Sequence, residues 1–263
     1  MSKTKKARVP RVETTSFNGI ANKFDENIYG TSKGQLRHQL LVHYLQPYLL
    51  GEPLKVLDAG GGTGMMACEF AKNGHKVTLN DVSQDTLDIA YGRLASFHDT
   101  KVILGEINEL DGAYDLVICH AVLEWLTKPL ECIEKLVQLL KPGGVLSLSF
   151  FNYDAKVFNN LLYGNFKYVE EGMPSKNTVR LNPHNAQKPQ QVIDKLEAMT
   201  GVKILATAGI RCIHDYMFDK QHIDDNYQKL FEMECEYGAK APYKWMGKYF
   251  YVQIQKRQEL GAL

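Results

Sequence analysis

The residues best suited to hold a small charged ligand lie between Val56 and Asp81. The run VLDAGGGTG (56–64) places glycines at 60, 61, 62 and 64. Glycine lets a chain adopt positive φ and lets the backbone approach a ligand closely. A helix that starts after such a turn offers free N–H groups and favours negative charge. Asp81 falls at the end of the next expected strand, where a carboxylate can accept hydrogen bonds from ribose hydroxyls. Gly60, Gly62 and Gly64 give G-x-G-x-G, whereas a dinucleotide fingerprint, G-x-G-x-x-G, has Met65 at its third glycine here. That departure argues against a nicotinamide dehydrogenase. Two further groups have useful chemistry. Arg37 either grips a carboxylate with its planar fork or is a surface arginine on an amphipathic helix. His120 is either a structural histidine or a site residue at a strand end.

These residues need a scaffold, and the pattern supplies one. Leu36, Leu40, Leu41, Tyr44, Leu45 and Tyr48 recur at helical spacing from Gln35 onward, with Pro47 near the end. Strands are expected at Lys55–Ala59, Lys76–Asn80, Lys101–Gly105, Tyr114–His120 and Val145–Phe151. Helices are expected between them: one ending near Gly74, one over Gln84–Ser96 capped by Ser83, and one over Pro129–Leu140. Lys141–Gly144 reads as a turn. The alternation then loosens, with a helix near Gln190–Met199, strands near Val202–Thr207 and Lys248–Lys256, and a helix flanked by loops within 210–245. The expected fold is α/β: a single Rossmann-like domain with a seven-stranded, mostly parallel sheet, helices on both faces and two late insertions. The expected limits are a flexible basic tail over 1–16, the domain over 17–256 with insertions near 152–188 and 210–245, and a C-terminal tail over 257–263.

Composition narrows the function. Of 263 residues, 44% are hydrophobic and 23% charged, so the chain can bury a core and is not globally disordered. Lys and Arg number 31 against 30 Asp and Glu, a net charge of +1, so a nucleic-acid partner would have to be held by local patches. No apolar run approaches the roughly 20 residues that span a membrane. The five cysteines are scattered, with no C-x-x-C, so neither a metal nor a disulfide framework is expected, and a cytoplasmic setting is the simplest reading.

With the glycine turn, Asp58 before it, Asp81 after the second strand and the KPGGVLSLSF turn and strand (141–150), the chain resembles the class I S-adenosylmethionine-dependent methyltransferases. Four segments carry a finer resemblance, to the bacterial tRNA 5-carboxymethoxyuridine methyltransferases: NIYGTSKGQLR (27–37), HAVLEWL (120–126), GNFKYVEEGMP (164–174) and IRCIHDY (210–216). The resemblance covers roughly residues 17–256. It implies cofactor contact by Arg37, Gly60, Gly61, Asp81, Ile107, Asn108 and His120. It implies methyl transfer to the carboxylate of a modified uridine at the tRNA wobble position, 34, giving the methyl ester. The implied partner is therefore a tRNA anticodon stem-loop.

The residues are compatible with that chemistry. A carboxylate has a pKa of about 4 and is already ionised at neutral pH, so no catalytic base is required. Candidate RNA-facing cations are Lys156, Lys167, Lys176, Arg180 and Lys188 in the first insertion and Arg211, His214 and Lys220 in the second. Phe166, Tyr168 and Tyr216 are interleaved aromatics able to stack on bases. Glu170 and Glu171 interrupt the first cluster, and a charge-rich loop is also what ordinary solvated surface looks like. Trp125 and Tyr29 read as core or wall residues, or as covers for cofactor or base. Two rivals stay open: a methyltransferase of a small metabolite such as a quinone precursor, and a binding module that keeps the fold without activity.

Overall fold

The computed structural model describes residues 30–174, 183 and 185–258. Residues 1–29 lie outside it, and with them Tyr29, as do Lys176, Arg180 and the Lys220 side chain. Helix α1 (Ser32–Leu49) starts where Thr31 Oγ1 accepts the Gly34 amide at 3.3 Å. Its buried stripe is Leu36, Leu40, Leu41, Leu45 and Leu49. Pro47 removes one N–H from the last turn, a place where the loss ends the helix rather than breaking it.

The first half of the sheet follows the sequence closely. β1 (Lys55–Ala59), α2 (Met65–Lys72), β2 (Lys76–Asp81), α3 (Gln84–Leu94), β3 (Thr100–Leu104), β4 (Tyr114–His120) and α4 (Pro129–Gln138) come in turn. Ser83 caps α3, its side chain accepting from the Thr86 amide. The Lys141–Gly144 segment is an irregularity inside β5 (Leu140–Phe151) rather than a separate turn. Leu140 pairs with Tyr114 and Val145 with Leu116, so the extra residues bulge out of the ladder.

Beyond β5 the first insertion forms α5 (Tyr153–Leu162) and α6 (Phe166–Glu170). α7 (Pro189–Glu197) and β6 (Val202–Ile210) follow. The second insertion holds two helices where the sequence suggested one, α8 (Lys220–Asp225) and α9 (Tyr227–Gly238). β7 (Tyr249–Lys256) closes the sheet.

Strand order is β3-β2-β1-β4-β5-β7-β6, and β7 alone runs antiparallel to its neighbours β5 and β6. Side chains alternate between two cores, as the period of a strand demands. Leu57, Val117, Cys119, Leu146, Leu148, Phe250 and Val252 face α4 and α7. Val56, Leu116, Ile118, Val145 and Tyr251 face α1, α2, α3 and α9. This arrangement is the doubly covered, mostly parallel sheet expected from the sequence. Because β7 runs backwards, its first residues arrive at the edge where the parallel strands end. That topological point delivers Lys248 and Tyr249 to the site. Among the described residues, no helix is long and apolar enough to cross a membrane.

Candidate active site

A cavity of about 510 Å³ opens at the carboxyl ends of β1, β2 and β4. Ligands gather there in open α/β sheets because strand order reverses between β1 and β4. The glycine turn forms one wall. Gly60, Gly62 and Gly64 all have positive φ. Gly61 does not, and its constraint is steric: a Cβ there would lie 2.6 Å from the Asp58 carboxyl. The chain therefore passes over Asp58 with no side chain between them.

Two carboxylates fix this wall. Asp58 Oδ2 accepts the Ala67 amide at 3.1 Å and ties the end of β1 to the first turn of α2. Burial pushes its pKa up to about 7. Asp81 Oδ2 accepts from the Gly62 amide at 3.0 Å. Its Oδ1 accepts from the Ser83 amide at 2.9 Å and the Thr86 hydroxyl at 3.3 Å. Burial raises the Asp81 pKa above the usual carboxylate range, against the pull of these donors. Ile107 and Asn108 lie in a short 3-10 turn after β3 and line the same cavity.

Cations gather elsewhere in the cavity, around Tyr249. The Arg37 guanidinium lies 5.1 Å from the Tyr249 ring centroid and that of Arg211 lies 5.6 Å from it. Lys33 and Lys248 line the cavity beside them. The Lys248 ammonium sits 5.0 Å from the Phe151 centroid, and burial lowers its pKa. Arg211 is only 7% exposed and has φ +60°. It forms a bidentate pair with Asp215 at 2.7 and 2.8 Å and donates to the Lys33 carbonyl at 3.2 Å. That pair holds the Asp215 carboxyl far below its usual range, against the cost of burial.

His120 stands at the end of β4, its Nε2 2.8 Å from Ser147 Oγ. Burial, with the nearby Arg37 and His38 charges, lowers its pKa to about 3, so the ring is neutral at physiological pH. Glu124, in the 3-10 turn that follows, lines the cavity but is 1% exposed. Its Oε2 and the Oδ1 of Asn80, another residue of the cavity wall, are buried polar atoms without a hydrogen-bond partner among the described residues. Burial raises the Glu124 pKa to about 7.

The structure thus brings Arg37, Gly60, Gly61, Asp81, Ile107, Asn108 and His120 to one cavity. Trp125 joins them as a wall, its Nε1 donating to the Ala121 carbonyl at 3.1 Å. The residues singled out for RNA are more scattered. Arg211, His214 and Tyr216 share one loop, pinned by Glu234, whose carboxylate accepts the amides of Cys212, Ile213 and His214 at 2.7 to 3.0 Å. Lys156 lies 6.0 Å from the Tyr168 ring centroid. Lys167 points to solvent, with Glu171 at 3.9 Å. Lys188 lies over Tyr153. Lys33, Glu124, Lys248 and Tyr249 were not singled out from the sequence. Lys248 and Tyr249 come from a strand distant in sequence, and only the reversed direction of β7 signals their arrival.

The cavity fits S-adenosylmethionine. Asp81 offers a carboxylate for ribose hydroxyls, the bare Gly60–Gly61 backbone gives room for close approach, and Arg37 offers a cation for a ligand carboxylate. A glycine-to-alanine change at 60 would place a Cβ 2.6 Å from Val122, so this wall admits no added side chain.

Comparison with known proteins agrees. Residues 57–146 match a family described as "Methyltransferase domain". The chain is 38% identical over 261 residues to the tRNA 5-carboxymethoxyuridine methyltransferase of Escherichia coli K12, covering 94% of this chain and 98% of that one. It is 30% identical to the ubiquinone biosynthesis O-methyltransferase of Rickettsia canadensis, covering 70% of this chain and 76% of that one. Among solved structures, the magnesium protoporphyrin IX methyltransferase from Synechocystis PCC 6803 with bound SAH superposes with a TM-score of 0.60 at 20% identity. That match covers 92% of this chain and 96% of the other and shows the shared fold.

Proposed function

The chain belongs to the class I S-adenosylmethionine-dependent methyltransferases, and we propose that it acts in the cytoplasm on tRNA, methylating the carboxylate of 5-carboxymethoxyuridine at the wobble position, 34, to give the methyl ester. The observation that carries this reading is the reach of the similarity to the E. coli enzyme. The methyltransferase-domain match ends at residue 146, yet the similarity to the E. coli enzyme covers 94% of the chain, and so extends into both insertions beyond that domain.

When bound, S-adenosylmethionine supplies a methyl carbon made electrophilic by a positive sulfur. In this reading Asp81 accepts the ribose hydroxyls, the backbone at Gly60 and Gly61 packs against the donor, and Arg37 holds its carboxylate. Ile107 and Asn108 border the adenine. The acceptor carboxylate, with a pKa of about 4, is ionised at neutral pH and gives up no proton on reaction. The residues therefore need to orient rather than deprotonate, and orientation alone can contribute roughly 7–11 kcal/mol. His120, neutral and held by Ser147, shapes the cavity without moving a proton.

The cations must attract the acceptor without quenching it. A guanidinium clamped on the nucleophilic oxygen would stabilise the ground state more than the transition state, where the negative charge is disappearing. Arg211 avoids this because Asp215 already occupies its fork. Lys33 and Lys248 are left to steer the anion into the cavity, where partial loss of water sharpens its reactivity.

The direct test incubates the protein with labelled S-adenosylmethionine and tRNA from cells lacking this methylation. Base-labile label on the modified uridine is expected. Tight cofactor binding with no tRNA ester would overturn the reading. Turnover of a quinone precursor instead would assign the site to a small metabolite.

A further inference from the structure

The two insertions meet through aromatic edges at the surface. Phe158 on α5 contacts Tyr216 with centroids 5.6 Å apart and planes at 63°. Tyr163 contacts Phe218 at 6.1 Å and 74°. In an edge-to-face pair, one ring contributes only its edge and keeps its faces uncovered. The exposures match: Phe158 is 40% exposed, Tyr163 62%, Phe166 60% and Phe218 75%. Leu161 and Leu162 extend the patch along α5. Exposed apolar side chains concentrated where two insertions meet point to an interaction site rather than ordinary exterior.

The ledge continues into the rim of the cavity. Tyr216 belongs to the loop that presents Arg211, and its hydroxyl donates to the Met246 carbonyl at 2.8 Å. Lys156 lies on α5 two residues before Phe158, and both Lys156 and Lys33 are close enough to Lys248 to act on its charge. Lys33, Arg37, Arg211 and Lys248 line the cavity, with Lys156 near enough to Lys248 to extend this positive charge toward α5 and with Asp215 committed to Arg211. Two acids near the ledge are also engaged: Asp219 caps α8 through the His222 amide at 3.1 Å, and Glu171 lies 3.9 Å from Lys167. Open ring faces beside a cationic rim suit a polyanion with exposed bases, not an apolar protein face.

We propose that this ledge seats an unpaired RNA loop, with bases flanking the methylated nucleotide stacking on Phe158, Tyr163, Phe166 and Phe218 while their phosphates pass over Lys33, Lys156 and Lys248. The proposal rests on the tRNA reading above and adds to it a surface outside the cavity. Stacking on aromatic rings tolerates any base, so the ledge adds affinity and the cavity keeps the specificity.

The test compares the parent with Phe218→Ala, Tyr163→Ala, Phe218→Trp and Phe218→Leu, using tRNA that lacks the methyl ester. Each alanine variant should raise KM for tRNA by roughly tenfold, with kcat, affinity for S-adenosylhomocysteine and Tm unchanged. Phe218→Trp should keep the parental KM, and Phe218→Leu, apolar but not planar, should behave like alanine. A parent that methylates tRNA alongside alanine variants with unaltered KM would overturn the ledge while leaving the tRNA reading intact. So would a leucine variant as good as the parent, or sedimentation showing that Phe218→Ala splits a dimer. A parent that binds cofactor but leaves tRNA unmethylated would remove the earlier reading, and this one with it.

Discussion

Asp81 Oδ2 accepts the Gly62 amide at 3.0 Å, so the acid at the end of β2 and the glycine turn after β1 are one hydrogen-bonded unit. The same carboxylate caps the chain entering α3 through Ser83 and Thr86. It therefore sets the shape of the turn and places a carboxylate on the cavity wall. A carboxylate that organises three donors presents its remaining lone pairs in a fixed direction, which is how a buried group gains specificity for its cost in desolvation.

Asp81→Ala should weaken binding of S-adenosylhomocysteine by roughly 1.5–3 kcal/mol, about ten- to a hundred-fold, through loss of a charge-assisted acceptor. Titration calorimetry reads this directly. Tm of the free protein should fall as well, because the Gly62 and Ser83 amides lose their acceptor. Unchanged affinity would place the ribose elsewhere.

His120→Gln should cost less than tenfold in the single-turnover rate at saturating cofactor and tRNA. Glutamine can still reach Ser147, and no proton passes through the ring in this mechanism. Loss of a true general base costs roughly 10²- to 10⁴-fold. A drop of that size, with binding preserved, would require a proton-transfer role for His120.

Glu124→Gln should flatten the dependence of stability on pH. Burial raises the Glu124 pKa from the ordinary glutamate range to about 7. Between roughly pH 4.5 and 7 the folded chain keeps a proton that the unfolded chain releases. The stability from this group is full below that window and is lost as pH rises through it, by about 3 kcal/mol. Asp58 slopes the same way and His120, whose pKa is lowered, slopes the opposite way. Those terms cancel when variant and parent are compared. Thermal melts at pH 5 and pH 8 should show the variant losing less Tm than the parent. Parallel losses would mean that Glu124 is ionised in the folded state throughout.

The legible part of this protein is local in sequence. The glycine turn, Asp81 and the caps of the early helices each need only neighbours along the chain, and β1 to β4 follow from alternation alone. The cationic side of the cavity is not local. Lys248 and Tyr249 reach it because β7 inserts backwards between β5 and β6, a choice made by long-range packing of Phe250, Val252 and Ile254. Arg211 was legible as a cation but not as a buried one. Its pairing with Asp215, four residues on, depends on a positive φ that no residue type there advertises. Glu124 sits in a motif visible in the sequence, yet its burial follows from the 3-10 turn that the chain makes just beyond the central strand β4.

Glu234 is the last residue whose role is set by geometry rather than by its place in a motif. It is fully buried on α9, and its two oxygens accept the amides of Cys212, Ile213 and His214. Those amides belong to the loop that carries His214 and Tyr216 and follows directly on Arg211, which lines the cavity. Glu234→Ala removes the acceptor and leaves three donors to find water or go unsatisfied, each costing about 1–3 kcal/mol when buried. The alanine variant should lose much of its stability, so the informative variant is Glu234→Gln. Glutamine keeps one acceptor oxygen but turns an NH₂ toward amides that need an acceptor. The loop should then loosen while the sheet and the glycine turn stay in place. The expected signature is faster hydrogen exchange over residues 211–216 and a several-fold rise in KM for tRNA, with affinity for S-adenosylhomocysteine close to that of the parent. Equal losses of cofactor and tRNA binding would show that Glu234 supports the domain as a whole rather than this loop.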